Sequence, residues 1–169
     1  MGLKQYRDKR RFDRTPEPGG HETPESPKKP VVRESRGQLY VIQKHQASHL
    51  HWDLRLEEGG VLRSWAVPKE PPEIEGLRRL AVQVEDHPLD YAAFEGVIPK
   101  GEYGAGTVEI WDRGTYRALE TTETKRIIDI SGTKLSGSYI LLKLKPKDPK
   151  DKNWLFFKSK THPQAAGGS

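Results

Sequence analysis

Between Gln43 and Arg55 the chain reads QKHQASHLHWDLR, which gathers His45, His49, His51, Asp53 and Arg55 into a short span. Two imidazoles and a carboxylate suit a borderline divalent ion such as Mn, Fe, Co, Ni or Zn. An arginine two residues beyond Asp53 has two uses. It can form a structural ion pair with Asp53 or Glu57, or it can hold a non-bridging phosphate oxygen beside the ion by planar, two-point donation. His87 and Tyr91, in EDHPLDY, add a second imidazole and a phenol. Near a metal-bound phosphate these could protonate a leaving oxygen or neutralise developing charge. Elsewhere they would be an ordinary loop histidine and a buried tyrosine.

This chemistry requires the side chains to converge. From Leu50 to Glu57 the sequence alternates. Leu50, Trp52, Leu54 and Leu56 fall on one side, and His51, Asp53, Arg55 and Glu57 on the other, as in a half-buried strand. On one straight strand His45 and His51 would be roughly 20 Å apart, at about 3.3 Å per residue. A reversal at 46–49 removes the conflict. Leu39 to His45 (LYVIQKH) is β-branched and aromatic, and so is strand-like. In the resulting hairpin His45 faces His51 and Gln43 faces Asp53, with Cβ atoms about 5 Å apart. His49 falls in the turn and is the weaker candidate ligand.

The rest of the chain reads as an antiparallel β-protein. It has 169 residues, 33% of them hydrophobic, with 16 glycines and 13 prolines, enough for a lean core and many turns. Strand-like runs recur about every ten residues without sustained helical periodicity, which predicts a sandwich or barrel. After EEGG come strands over 61–69 and 77–87, one short helical turn in PLDYAAFEG, and a glycine-rich reversal over 97–106. TVEIWDRGTYRAL is expected to be a strand, a turn and the start of another strand. The segment 120–133 is strand or short helix, and SGSYILLKLK with NWLFFKSK forms a closing hairpin. GEYGAG lacks the GK[ST] ending of a phosphate-binding loop and reads as a tight turn. Trp52, Trp65, Trp111 and Trp154 read as core residues. Lys69 and Arg79, near strand ends, are surface charge or site residues.

Residues 1–37 form a basic, proline- and glycine-rich arm. It is either disordered or folded over a phosphate using Arg10, Arg11 or Arg14, with His21 or Glu22 nearby. The barrel is expected over 38–160 and a disordered tail over 161–169. The net charge of +5 fits a nucleic-acid partner. The absence of cysteine excludes disulfides, thiolate metal sites and a cysteine nucleophile. No apolar run suits a membrane span or a signal peptide, which predicts a cytoplasmic protein.

KHQASHLHWDLRLEEGGVLRSWAVPK followed by RLAVQVEDHPLDYAAFEGVIPKGEYGAGTVEIWDRGTY resembles the 3′-phosphoesterase domain of bacterial DNA ligase D and its free-standing bacterial and archaeal relatives. The likeness is close from Tyr40 to Tyr116 and looser at both ends. Trp52 stands where that family commonly has tyrosine, and EPPEIEG where it has a GPS-type loop. The resemblance implies a small antiparallel β-barrel with a polar cavity holding one metal, Mn2+ by expectation, with Co2+ or Zn2+ as substitutes. It implies metal ligands at His45, His51 and Asp53, and a phosphate site at Arg55, His87 and Tyr91. Gln43, Lys69 and Arg79 fall at supporting polar positions, and Arg14 and Glu22 are the arm's candidates. The implied activity is healing of DNA 3′ ends at primer–template junctions: removal of a terminal ribonucleoside, then of the remaining 3′-phosphate. The implied setting is the prokaryotic cytoplasm, at the nucleoid, as a monomer working with a separate DNA ligase. Water or a neighbouring 2′-OH could attack. Two other readings start from the same residues. One is a non-haem iron oxygenase using His51-Trp52-Asp53 with His87 as third ligand. The other is a non-catalytic nucleic-acid-binding barrel that recruits a ligase.

Overall fold

The computed structural model describes residues 3–19 and 37–160. Nine strands account for most of them: β1 (Gln38–Gln46), β2 (Leu50–Glu58), β3 (Val61–Val67), β4 (Arg78–Pro88), β5 (Gly96–Ile98), β6 (Gly106–Thr121), β7 (Lys125–Gly132), β8 (Ser136–Lys143) and β9 (Asn153–Lys158). The pairing order is β1-β2-β3-β4-β9-β8-β7-β6, and β6 pairs back onto β1. That closes an eight-stranded antiparallel barrel and leaves β5 outside it on β6. Among the described residues the helical elements are α1 (Lys4–Asp8) and a 3₁₀ turn (Leu89–Ala93). The all-β barrel expected from the sequence is therefore the observed fold. Among the described residues no helix is long and apolar enough to cross a membrane.

Alternation decides which way each strand faces. Tyr40 and Ile42 of β1, Trp52, Leu54 and Leu56 of β2, and Trp65 and Val67 of β3 join Ile128, Ile130, Tyr139, Leu141, Trp154 and Phe156 in one buried cluster. Since this cluster draws on strands all round the barrel, it fills the lumen. A fully buried side chain such as Leu54 contributes about 1.5–3 kcal/mol. With those residues inside, Gln43, His45, Asp53 and Arg55 must project from the other face of the same wall.

That second face is also covered. Tyr6 from the arm, Leu62, Tyr91, Phe94, Ile98 and Val108 form a smaller buried cluster over it. The polar group thus lies in the interior of the protein, between the β1–β4 wall and the segments packed on it. The tight link from β2 to β3 uses Gly59 and Gly60, both at positive φ (61° and 87°), as a two-residue hairpin turn of this hand requires.

One expected turn is absent. The chain does not reverse at Asp112-Arg113-Gly114 but continues as the single strand β6. These residues resemble a turn because they serve neighbouring strands. The buried Asp112 carboxylate accepts the Tyr40 hydroxyl at 2.8 Å and the N–H groups of Thr133, Lys134 and Leu135 at 2.9 Å each. Gly114 is needed where the backbones of β6 and β7 approach, since a Cβ there would sit 2.0 Å from the Ser131 carbonyl oxygen. The ambiguous 120–133 segment supplies strand β7.

Candidate active site

The β1–β2 register sets His45 opposite His51 and Gln43 opposite Asp53. One ligand-capable atom from each of His45, His51 and Asp53 lies within 4.8 Å of the others, so the group could hold a metal ion. Each ring is oriented by a main-chain carbonyl. His45 Nε2 lies 2.7 Å from the Gly104 oxygen, and His51 Nδ1 lies 3.0 Å from the His49 oxygen. A carbonyl only accepts, so these nitrogens carry the protons of the neutral rings. The opposite nitrogens, His45 Nδ1 and His51 Nε2, then turn their lone pairs toward Asp53, at 3.5 and 3.3 Å from its two oxygens. Carbonyl-tethered histidines with converging lone pairs beside a carboxylate are what a divalent ion requires. The donor set therefore fits the expected metal.

The charges around the group are consistent with this. Burial would raise the Asp53 carboxyl. The Arg55 charge, joined by hydrogen bonds from the two imidazoles when they are protonated in the metal-free site, outweighs it and holds the group well below the usual carboxylate range. Burial disfavours charge on His51, but the bond to Asp53 and its charge raise the imidazole above its ordinary value. A cation at this point replaces a proton that the site already attracts.

Arg55 lies beside this group, deeply buried and fixed on three sides. Its Nε donates to Gln43 Oε1 at 2.7 Å, Nη1 donates to Ser64 Oγ at 2.9 Å, and Nη2 lies 3.4 Å from Asp53 Oδ2. Its guanidinium also sits 4.8 Å from the centre of the Tyr91 ring. Gln43 spends its amide on the carbonyls of Tyr91 and Phe94, at 2.7 and 3.0 Å. That ties the 3₁₀ turn to β1.

His87 is wholly buried, with Nδ1 3.0 Å from the Glu85 carbonyl oxygen and Nε2 3.4 Å from Arg10 Nη2. Burial first, then the charges of Arg55 and Arg10, push its proton affinity well below that of a free histidine. The ring is therefore neutral near pH 7. The Tyr91 hydroxyl donates to Glu17 Oε2 at 2.6 Å. Its burial, opposed by Arg55 but reinforced by Glu17, keeps it protonated.

The arm closes the site. Arg10 Nε pairs with Glu17 at 3.0 Å and Nη1 with Glu85 at 3.3 Å, and all three side chains are almost completely buried. Together these groups line a cavity of about 210 Å³ that includes His45, His51, Asp53, Arg55, His87, Tyr91, Arg10 and Glu17.

Not every candidate reaches it. His49 is exposed in the turn, and only its carbonyl serves the site. Arg14 is exposed and does not line the cavity. Lys69 is exposed beyond the end of β3, and Arg79 is turned to the Glu70 carbonyl at 2.7 Å. Glu22 and His21 lie outside the described residues. Of the arm's described arginines it is Arg10 that enters; Arg11 instead grips Glu102 at 2.6 Å. Glu17, Ser64, Glu85 and Gly104 were missed. Their only signal was proximity in sequence to residues already singled out, together with the rigidity that Pro16 and Pro18 give Glu17.

The site is thus a two-histidine, one-carboxylate group that could hold a metal ion, set beside a buried arginine–histidine–tyrosine cluster on the wall of a closed antiparallel barrel. Residues 43–143 match the family model described as the DNA Ligase D 3′-phosphoesterase domain, and the chain belongs to that family. It is 48% identical over 164 residues to the "Multifunctional non-homologous end joining protein LigD" of Pseudomonas aeruginosa, covering 94% of this chain and 18% of that protein. It is 41% identical over 174 residues to the protein of the same name from Mycolicibacterium smegmatis, covering 96% of this chain and 21% of the relative. The "Multifunctional non-homologous end joining DNA repair protein LigD" of Mycobacterium tuberculosis is 46% identical over 145 residues, 83% of this chain and 18% of its own. The chain thus spans about a fifth of the length of these relatives. Family membership supports a role as a phosphoester hydrolase.

Proposed function

We propose that this protein is a metal-dependent phosphoesterase that heals DNA 3′ ends. It removes a 3′-terminal ribonucleoside to leave a 3′-phosphate, then removes that phosphate to leave a 3′-OH. One observation carries this reading: the converging donors of His45, His51 and Asp53 share a single cavity with Arg55, Arg10 and His87.

When bound, a divalent ion, Mn2+ by preference, would be held by His45, His51 and Asp53 and would supply Lewis-acid polarisation of a phosphoryl oxygen. Arg55 presents a rigid donor fork to the phosphate, held in place by Gln43 and Ser64. Arg10 supplies a second cation from the arm. His87 begins neutral, with its Nε2 lone pair facing Arg10. An anionic phosphoryl group entering between them favours the imidazolium, so His87 takes up a proton from solvent as substrate binds and can pass it to the leaving oxygen. Tyr91 and Glu17 fix the arm against the barrel and orient the phenol at the edge of the phosphate. The catalytic unit is the 38–160 barrel, with Arg10 and Glu17 of the 1–37 arm completing its cavity. Arg14, Lys69 and Arg79 are assigned to contacts with the strand beyond the cavity. The protein acts as a cytoplasmic monomer at primer–template junctions, within end joining and beside a separate DNA ligase.

The test is a primer–template duplex whose primer ends in one ribonucleotide, incubated with manganese, beside the His51→Ala variant. Stepwise 3′-phosphate and 3′-OH products, absent in the variant, are expected. A 3′-phosphate that never converts removes the second activity. Binding without turnover under any divalent ion makes the protein a nucleic-acid-binding module.

A further inference from the structure

We propose that the groove next to the catalytic cavity is a nucleoside subsite and that Tyr103 is its stacking platform. The subsite takes the base on the 5′ side of the scissile phosphate, and this rests on the phosphoesterase reading above. The groove has a volume of about 270 Å³ and is lined by Gln5, Lys9, Gln83, Tyr103 and Lys152, among others. It shares Tyr103, Val84 and Glu85 with the wall of the catalytic cavity, so the two are contiguous.

Tyr103 has no core role, being 46% exposed among the large hydrophobic side chains. Yet its position is closely fixed. The preceding Glu102 is gripped by Arg11 at 2.6 and 3.2 Å, and the following Gly104 accepts from His45 at 2.7 Å. Gly101 and Gly104 both adopt positive φ, which sets the turn that presents the ring. Lys9 lies 5.0 Å from the ring centre and reaches the phenol oxygen at 3.4 Å. A rigidly presented, half-exposed aromatic ring with the charges of Lys9 and Arg10 at 5.0 and 5.1 Å from its centre, on the shared wall of the catalytic cavity, suits a nucleobase. Opposite it, the Gln83 N–H bonds to the Lys152 carbonyl at 2.8 Å, which anchors the backbone that carries the exposed Lys152 amine. Lys152 lines the groove, and its amine is assigned to the next phosphate of the strand. The 5′-side nucleoside is the one common to both proposed steps, since it stays attached to the phosphate throughout. A single permanent platform is therefore matched to that nucleoside and not to the departing one.

The experiment places the fluorescent base 2-aminopurine on the 5′ side of the terminal ribonucleotide linkage and titrates in wild-type protein, Tyr103→Phe, Tyr103→Ala and Tyr103→Leu. Stacking on an aromatic ring quenches the probe. Quenching is expected with the wild type and Tyr103→Phe and lost with Tyr103→Ala and Tyr103→Leu, together with a rise in KM of about tenfold, the effect of one stacked base. Circular dichroism checks that each variant folds; Tyr103→Leu, which keeps the bulk, stands in if Tyr103→Ala does not. Equal quenching in all four proteins overturns the subsite. Loss in Tyr103→Phe as well would make the hydroxyl's contact with Lys9 the important feature, and would also overturn stacking. A wild type that quenches but never cleaves would sink the phosphoesterase reading and leave the platform standing.

Discussion

Arg55 Nε donates to Gln43 Oε1 at 2.7 Å, across the hairpin and deep inside the protein. The same glutamine gives both amide protons to the turn that carries Tyr91. Gln43 is therefore the joint between the arginine and the tyrosine of the site. Gln43→Ala takes the glutamine partner from a guanidinium donor and from the Phe94 carbonyl, and leaves the Tyr91 carbonyl with only the Phe94 N–H. It should cost roughly 2–4 kcal/mol of stability. Gln43→Glu should not restore the loss, since a carboxylate cannot donate to the two carbonyls. Urea denaturation of the three proteins checks this; an unchanged midpoint in the alanine variant would refute it.

Metal binding should be measurable apart from turnover. Manganese at about one hundred times its dissociation constant should stabilise the wild type by about 2.7 kcal/mol and raise its melting temperature. His51→Ala and Asp53→Ala should show no such gain, and a chelator should reverse it in the wild type. Calorimetric titration of the variants makes the same check. Undiminished manganese affinity in Asp53→Ala would move the site elsewhere.

His87 should leave a mark on stability below pH 6.5. Its folded-state proton affinity is depressed by burial and by Arg55 and Arg10, so the unfolded chain binds its proton first as pH falls. Its contribution is complete above the unfolded value of 6.5 and is lost as pH drops toward the lower folded value. The loss approaches about 1.4 kcal/mol per pH unit, the limit for one proton. His51 has the opposite sign, since its raised value favours the fold below 6.5, and Asp53 acts only below its unfolded value of 3.8. Both remain in His87→Gln, so the difference between the metal-free wild type and that variant over pH 6.5 to 4.5 isolates His87. Parallel stability curves would show that the ring is not buried neutral.

Asp112 should be a stability residue with little bearing on chemistry. Its carboxylate accepts four hydrogen bonds, from Tyr40 and from the 133–135 backbone, on the lumen side of the wall. Asp112→Ala should cost about 3–4 kcal/mol. Below its lowered melting temperature it should retain manganese affinity near that of the wild type. A variant that melts normally but has lost its metal would contradict the separation of the two faces.

The local part of this protein was legible in the sequence. Alternation from Leu50 to Glu57 set which residues share a face, and the polar 46–49 segment forced the reversal that sets His45 against His51. Both follow from the two-residue period of a strand and from the short reach of a turn. Closure of the barrel was legible only as a class, because pairing β6 back onto β1 is a contact between distant segments that no local pattern records. The DRG segment misled for the same reason, its Asp and Gly being spent on β7 and the turn after it. The arm shows the limit most sharply. Composition offered Arg10, Arg11 and Arg14 as equals, but only the packing of Tyr6 against His87 and Tyr91 turns Arg10 inward and brings Glu17 to the phenol. Sequence determined the chemistry the hairpin can present. Tertiary structure decided which distant charges are buried with it, because burial depends on every segment that packs above the site.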